Sequence, residues 1–169
     1  KLGSWLNAWA VSDGYHYLNT HLHFDHIFGN AFIKETFGIG TEANYADWPW
    51  AENIRERVAR FGLRYEEKIP AIERVLNDGD EILFGNSRIV AIAVPGHSPG
   101  SLAYHLPQEK MLFSGDALFK AGLKEVFSRL QGIRTVIFDE IDTGVSGPVE
   151  TAIGRKMKDI SSSCQVFSV

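Results

Sequence analysis

The spacing of apolar positions changes twice along the 169 residues of this chain, and the changes divide it into three stretches. In the first, Leu2, Trp5, Leu6 and Trp9 recur at helical spacing, which predicts a short helix over residues 2–11. Asp13-Gly14 is a turn signal, and residues 15–20 read as a strand. Residues 30–37 read as a helix. Residues 43–61 read as a second helical region, interrupted near Trp48-Pro49-Trp50, whose later part (51–60) is charged and amphipathic. From Ile72 the period shortens to that of strands. Residues 72–76, 81–84, 88–94, 102–106 and 111–114 are short β-type runs, separated by turn-rich pieces such as Asn77-Asp78-Gly79-Asp80 and the run from Pro95 to Gly100. After Asp116 the texture changes again: residues 123–130 look helical, 135–138 form an apolar strand, 149–160 look helical, and 166–169 begin another strand. Neither an internal repeat nor a low-complexity tract is present.

Composition narrows the class. Hydrophobic residues make up 44% and charged residues 22% of the chain, the balance of an ordinary globular protein, and the length can bury a sizeable core. A net charge of −4 with a pI near 5.9 supplies no basic excess for nucleic acid, so a nucleic-acid partner is not expected. The single cysteine, Cys164, excludes a disulfide framework and reads as a small buried hydrophobe. No apolar run is long enough to span a membrane, and the first 15 residues lack the features of a signal peptide, so the expected location is the cytoplasm.

Three of the six histidines fall within His21-Leu22-His23-Phe24-Asp25-His26. In extended backbone alternate side chains share a side, so His21, His23 and Asp25 converge while Leu22 and Phe24 face the core. His26 falls where the chain turns into a helix and points back to the same spot. Imidazole with carboxylate is a ligand set for zinc, with iron or manganese as alternatives. Downstream, His97 sits in the Gly/Pro turn after residues 88–94, and Asp116 ends the strand at 111–114. His16 and His105 lie inside strands and read as hydrogen-bonded structural histidines.

These residues carry a resemblance. Thr20-His21-Leu22-His23-Phe24-Asp25-His26 is similar to the T-H-x-H-x-D-H signature of the metallo-β-lactamase superfamily. Pro95 to Ser101 and Ser114-Gly115-Asp116 resemble its next two motifs, in order. Aspartate rather than cysteine at 116 brings the likeness closest to the glyoxalase II-like hydrolases. The resemblance covers residues 1–120 and implies an α/β fold, a partial αββα sandwich with the metal site at one edge of two packed sheets. It implies that His21, His23 and His97 hold a first metal, that Asp25 and His26 hold a second, and that Asp116 bridges them. A hydroxide held between the metals then attacks a thioester or related small-molecule acyl substrate, with Asp25 both ligating and orienting it. Tyr45, Trp48 and Trp50 either wall the substrate or pack a helix onto the sheet.

Two departures from the family pattern shape the expectation. Only 20 residues precede His21, so the first sheet is expected to be cut short. Where the family ends on a Gly-His-Gly-Pro motif, this chain has Val145-Ser146-Gly147-Pro148, and no histidine follows His105. The second metal is therefore expected to bind weakly or not at all. Residues 121–169 form a C-terminal helix-strand-helix segment that instead resembles the Walker B region of RecN-type DNA-repair ATPases, with Asp139 and Glu140 in the Mg²⁺ and water positions. The phosphate-binding loop is missing, so ATP hydrolysis by this chain is not expected. Two other functions stay open: a mononuclear iron site of the persulfide-dioxygenase type on His21, His97 and Asp116, and a non-catalytic hybrid or truncated metal-binding domain. The oligomeric state is not fixed by the sequence.

Overall fold

The structure, a computed structural model, describes residues 8–11, 14–116, 130, 132–139 and 148–168. Two sheets face each other. The first has the order β1 (Ala8–Val11), β2 (Gly14–Leu18), β3 (Thr41–Ala43), β4 (Ile72–Val75). The second runs β10 (Gln165–Ser168), β9 (Thr135–Phe138), β8 (Met111–Gly115), β7 (Leu102–Leu106), β6 (Ser87–Ala93), β5 (Glu81–Phe84). Strands β5 to β8 form an antiparallel meander, and β9 and β10 continue it in parallel. The helices are α1 (Phe24–Ile27), α2 (Asn30–Phe37), α3 (Trp48–Glu52), α4 (Ile54–Ala59) and α5 (Pro148–Ser161).

Strand β6 shows why the layers stack. Its side chains alternate between two cores, as a strand buried on both faces must. Ile89 and Ala91 enter the core between the sheets with Leu18, Leu76, Ile82, Leu102 and Tyr104. Ile92, and Val94 just beyond the strand, enter the opposite core with Leu112, Val136 and Phe138, onto which Met157 and Ile160 of α5 pack. A third core, with Leu22, Ile27, Ala51, Ile54 and Val58, seats α1, α3 and α4 against the first sheet. The result is the α/β/β/α layering expected from the sequence.

Three local expectations are corrected. Residues 8–11 form a strand, not the end of a helix over 2–11 (residues 1–7 lie outside the described residues). Four residues of helical spacing are outweighed by cross-strand pairing of Trp9 with His16 and Val11 with Gly14. The helical region over 43–61 is divided differently: Ala43 ends β3, a 3-10 turn covers Tyr45–Asp47, and the break between helices falls at Asn53. Pro49 stands in the first turn of α3, where its missing N–H costs nothing. Asp25, read as part of the extended run with His21 and His23, lies instead in the first turn of α1, because His23 is the last extended residue. The helix expected at 123–130 and the segment 140–147 lie outside the described residues, apart from Leu130. Among the described residues, no helix is long and apolar enough to cross a membrane.

Candidate metal centre

The site sits where β2, β8 and β9 end and β7 begins, beside the first turn of α1. Tyr104 Oη donates to the Asn19 carbonyl at 2.7 Å, and Leu102 N–H donates to the Thr20 carbonyl at 2.7 Å, so β7 fixes the backbone just before the histidine run. Asn19 then closes the run from within: its Nδ2 donates to the His26 carbonyl at 3.0 Å. Gly115, at φ 53°, turns the chain after β8, and a Cβ there would lie 2.7 Å from Thr20 Oγ1. The close approach of the two loops therefore requires glycine.

Asp47, which the sequence reading did not single out, is fully buried and joins the two histidine loops. Its carboxylate accepts from Leu22 N–H at 3.3 Å, from Ser98 Oγ at 2.6 Å and from Gly100 N–H at 2.6 Å. A Cβ on Gly100 would lie 2.7 Å from Asp47 Cγ, so the bare backbone is what lets the amide reach the carboxylate. No sequence signal marks an aspartate in a 3-10 turn for this task; the partner lies 53 residues away.

The expected ligand residues converge. One group of ligand atoms comes from His21, His23 and His97 and a second from His21, His26 and Asp116, each within 4.8 Å of one another. His97 Nε2 stands 2.8 Å from His23 Nδ1. Asp116 offers one oxygen to each side: Oδ2 is 3.4 Å from His97 Nε2 and 4.0 Å from His21 Nε2, and Oδ1 is 3.4 Å from His26 Nε2. Asp25 stands at the rim of the second group, its Oδ2 3.5 Å from His26 Nε2. His16 and His105 lie outside both groups; His16 bonds Glu42 and the Leu83 carbonyl.

A further carboxylate arrives from the C-terminal segment. Strand β9 pairs with β8 so that Phe138 lies opposite Gly115. The next residue on each strand, Asp139 and Asp116, therefore emerges at the same edge. Asp139 Oδ2 lies 3.9 Å from His26 Nδ1, on the side of the ring away from Asp116.

A divalent cation fits this set. Nε2 of His21, His23 and His26 and Oδ1 of Asp116 are buried and make no hydrogen bond, an expensive arrangement for polar atoms unless an ion receives their lone pairs. Burial, with three neighbouring imidazoles, pushes His21 far below the usual histidine range. Burial and His97 lower His23 as well. Both rings are thereby neutral, the form that ligates. Burial would also lower His26, but Asp116, Asp25 and Asp139 together outweigh it and raise it.

The comparisons with known proteins agree with this geometry. The profile of the Metallo-beta-lactamase superfamily matches residues 18–154. The chain belongs to the metallo-beta-lactamase superfamily. Among superfamily members, the chain is 36% identical over 134 residues to the hydroxyacylglutathione hydrolase of Brucella anthropi. It is 35% identical over 137 residues to that of Brucella ovis. Both matches cover 79% of this chain but only 44% of the relative, so the chain spans less than half the length of these enzymes. The glyoxalase II-like resemblance read from the motifs is thus found again in similarity over 79% of the chain. The fold is also that of TTHA1623 in a di-iron-bound form, with TM-score 0.56 and 27% identity over 90% of this chain and 68% of that one. The BLEG-1 B3 metallo-beta-lactamase gives TM-score 0.56 at 25% identity with the same coverage.

The cluster opens into a cleft of about 450 Å³ lined by His23, Phe24, Asp25, Trp50, Arg57, Arg60, Phe61, His97 and Asp116. The aromatic trio is split between the cleft and the core. Trp50 lies against His23 with ring centres 4.4 Å apart and lines the cleft. Trp48 packs into the core under α3 and α4, with Tyr45 stacked outside it.

Proposed function

We propose that this chain is a metal-dependent hydrolase of the glyoxalase II-like group, acting on a thioester or related activated acyl substrate, with zinc as the metal. The observation that carries the reading is the convergence of buried, unbonded imidazole nitrogens with a carboxylate that faces both halves of the cluster. His21, His23 and His97 would hold a first cation and His26 and Asp25 a second, with Asp116 offering one oxygen to each side. Asp139 faces the far nitrogen of His26 and keeps its proton on Nδ1, leaving Nε2 for the metal.

Bound divalent cations bring the pKa of water towards neutrality and polarise the carbonyl under attack. The chain's own residues do the rest. Asp25, at the mouth of the cleft, accepts a hydrogen bond from the attacking water and orients it towards the acyl carbon. The water oxygen bonds to that carbon, the carbon–sulfur bond breaks, and sulfur leaves with the bonding pair and one proton of the water. Phe24, Phe61 and Trp50 exclude bulk water from the reacting carbonyl. Protein stripped of metal and reloaded with zinc is expected to release thiol from simple acyl thioesters. Absence of thiol release in the presence of stoichiometric bound zinc counts against the proposal.

A second reading rests on a different feature of the same cluster. His21, His97 and Asp116 Oδ2 form a two-histidine, one-carboxylate face of the kind that iron oxygenases use. The di-iron form of one structural neighbour shows iron held in this fold. Anaerobic iron loading followed by oxygen uptake with a persulfide tests it; a chain that takes up zinc but consumes no oxygen as the iron form removes it.

A further inference from the structure

Helix α4 ends in a turn that holds two apolar side chains out in solvent. Gly62 takes the left-handed conformation at φ 71°, its N–H donates to the Ala59 carbonyl, and Leu63 N–H donates to the Val58 carbonyl, both at 3.0 Å. This pair of bonds is the Schellman arrangement, which satisfies the last carbonyls of a helix and fixes the backbone around the glycine. The apolar residue after the glycine commonly folds back onto the helix in such a turn. Here Val58 is fully buried while Leu63 stays 47% exposed, and Phe61, on the other side of Gly62, is 68% exposed. Phe61 meets Phe24 with ring centres 5.2 Å apart, Phe24 meets Phe28 at 5.6 Å, and Phe28 stacks on Tyr65 at 5.6 Å. The turn is therefore the crest of a connected aromatic patch on a rigid backbone, and a connected apolar patch on a protein surface marks a place of contact.

The charge around the crest says with what. Arg60 and Arg64 flank it in the run Arg60-Phe61-Gly62-Leu63-Arg64, and both are exposed. Among the described residues neither forms an ion pair or a side-chain hydrogen bond, whereas Arg74 and Arg88 are paired with Glu42 and Glu81. Residues 54–68 carry five basic side chains against three acidic ones, in a chain whose net charge is −4. None of the three, Glu56, Glu66 and Glu67, lies within the crest. Apolar side chains on a fixed turn with a free guanidinium on either side match a lipid–water boundary. The rings and the leucine enter the acyl margin, and the arginines remain among the phosphates. A second copy fits poorly, because a two-fold contact would bring Arg60 and Arg64 of both copies together with no carboxylate in the crest to answer them.

We infer that the Phe61-Gly62-Leu63 turn is a membrane-docking tip whose occupant is the surface of an anionic phospholipid bilayer. Docked in this way, the cleft, whose lining includes Phe24, Arg60 and Phe61, opens at the lipid boundary. The inference goes beyond the hydrolase reading and stands apart from it, since neither metal nor substrate takes part in docking.

The test is flotation of the full chain, metal-free and zinc-loaded, with vesicles of phosphatidylcholine alone and of phosphatidylcholine mixed with phosphatidylserine. Both forms of the protein are expected to float with the mixed vesicles and to stay behind with phosphatidylcholine alone. Arg64→Gln should weaken partitioning about fivefold, the share of one basic residue at an anionic surface, and added salt should remove that share. Leu63→Ser should weaken it by about fivefold and Phe61→Ser by about tenfold, from the apolar area each removes. Urea midpoints of the three variants report their folding, and Arg64→Gln, at an exposed and unpaired side chain, carries the test if a tip variant unfolds. Absence of flotation with the mixed vesicles at low salt overturns the inference. So does flotation that Phe61→Ser, Leu63→Ser and Arg64→Gln all leave unchanged, or a dimer in light scattering that Leu63→Ser dissolves, which would assign the tip to a second copy.

Discussion

The two groups of ligand atoms share His21 but are held in different ways. The group with His23 and His97 is tied by Asp47, a buried carboxylate with three donors from two loops. Its three histidines and the carboxylate that ties their loops all lie between residues 21 and 97. The group with His26 and Asp116 depends on Asn19, the residue after β2, and on two carboxylates at the ends of the parallel strands β8 and β9, one of them in the C-terminal segment. The first group is a closed hydrogen-bonded unit; the second is a seam between two parts of the chain. Affinity should follow that difference, with the first cation held tightly and the second more loosely.

The largest effect is expected at the shared residue. His21→Ala removes an atom from both groups and should abolish retention of either metal, read as metal per chain after gel filtration. Retention of one equivalent would mean that the two groups are independent. Next comes the clamp. Asp47→Ala leaves two buried N–H groups and a hydroxyl without their acceptor and should cost about 3 kcal/mol in urea unfolding, within the range for such losses. It should also weaken the first metal more than the second; equal weakening of both would deny the clamp its local role.

How far these features were legible beforehand follows from the range of the interactions involved. The alternation of histidine and apolar residues over 21–26 is a local pattern, and it singles out from sequence the side chains that converge in the fold. The β-type runs from Ile72 to Ser114 were legible for the same reason, their period matching a sheet with one or both faces buried. Asp47, Asn19 and Asp139 act on residues brought close only by the fold: Asp47 reaches Gly100 from an irregular turn, and Asp139 meets His26 because β9 pairs with β8 in a particular register. Nothing in the neighbourhoods of Asn19 and Asp47 marks them, and Asp139 stands out in the sequence only for its likeness to a Walker B strand, not for a place beside His26. The Ala8–Val11 strand departs from the helical expectation because a few apolar positions fit helix and strand alike, and its partner strand decides.

Smaller effects separate the seam from the clamp. Asp139→Ala should weaken the second metal by about tenfold, the low end for a residue that orients a histidine ligand, and leave the first unchanged. Competition with a chromophoric chelator measures both constants, and a loss confined to the first metal would place Asp139 elsewhere. Smallest of all, Tyr45→Ala, at an exposed ring stacked outside Trp48, should change stability by less than about 1 kcal/mol and leave the metal content as it was.

Metal content per chain, measured by elemental mass spectrometry on protein purified without chelator and passed through a desalting column, tests the central claim most directly. One firmly retained divalent cation per chain, with a second taken up when metal is added, is the expected result. No retained metal after purification in metal-containing buffer would contradict it, and the converging histidines would then be a remnant with no ion to hold.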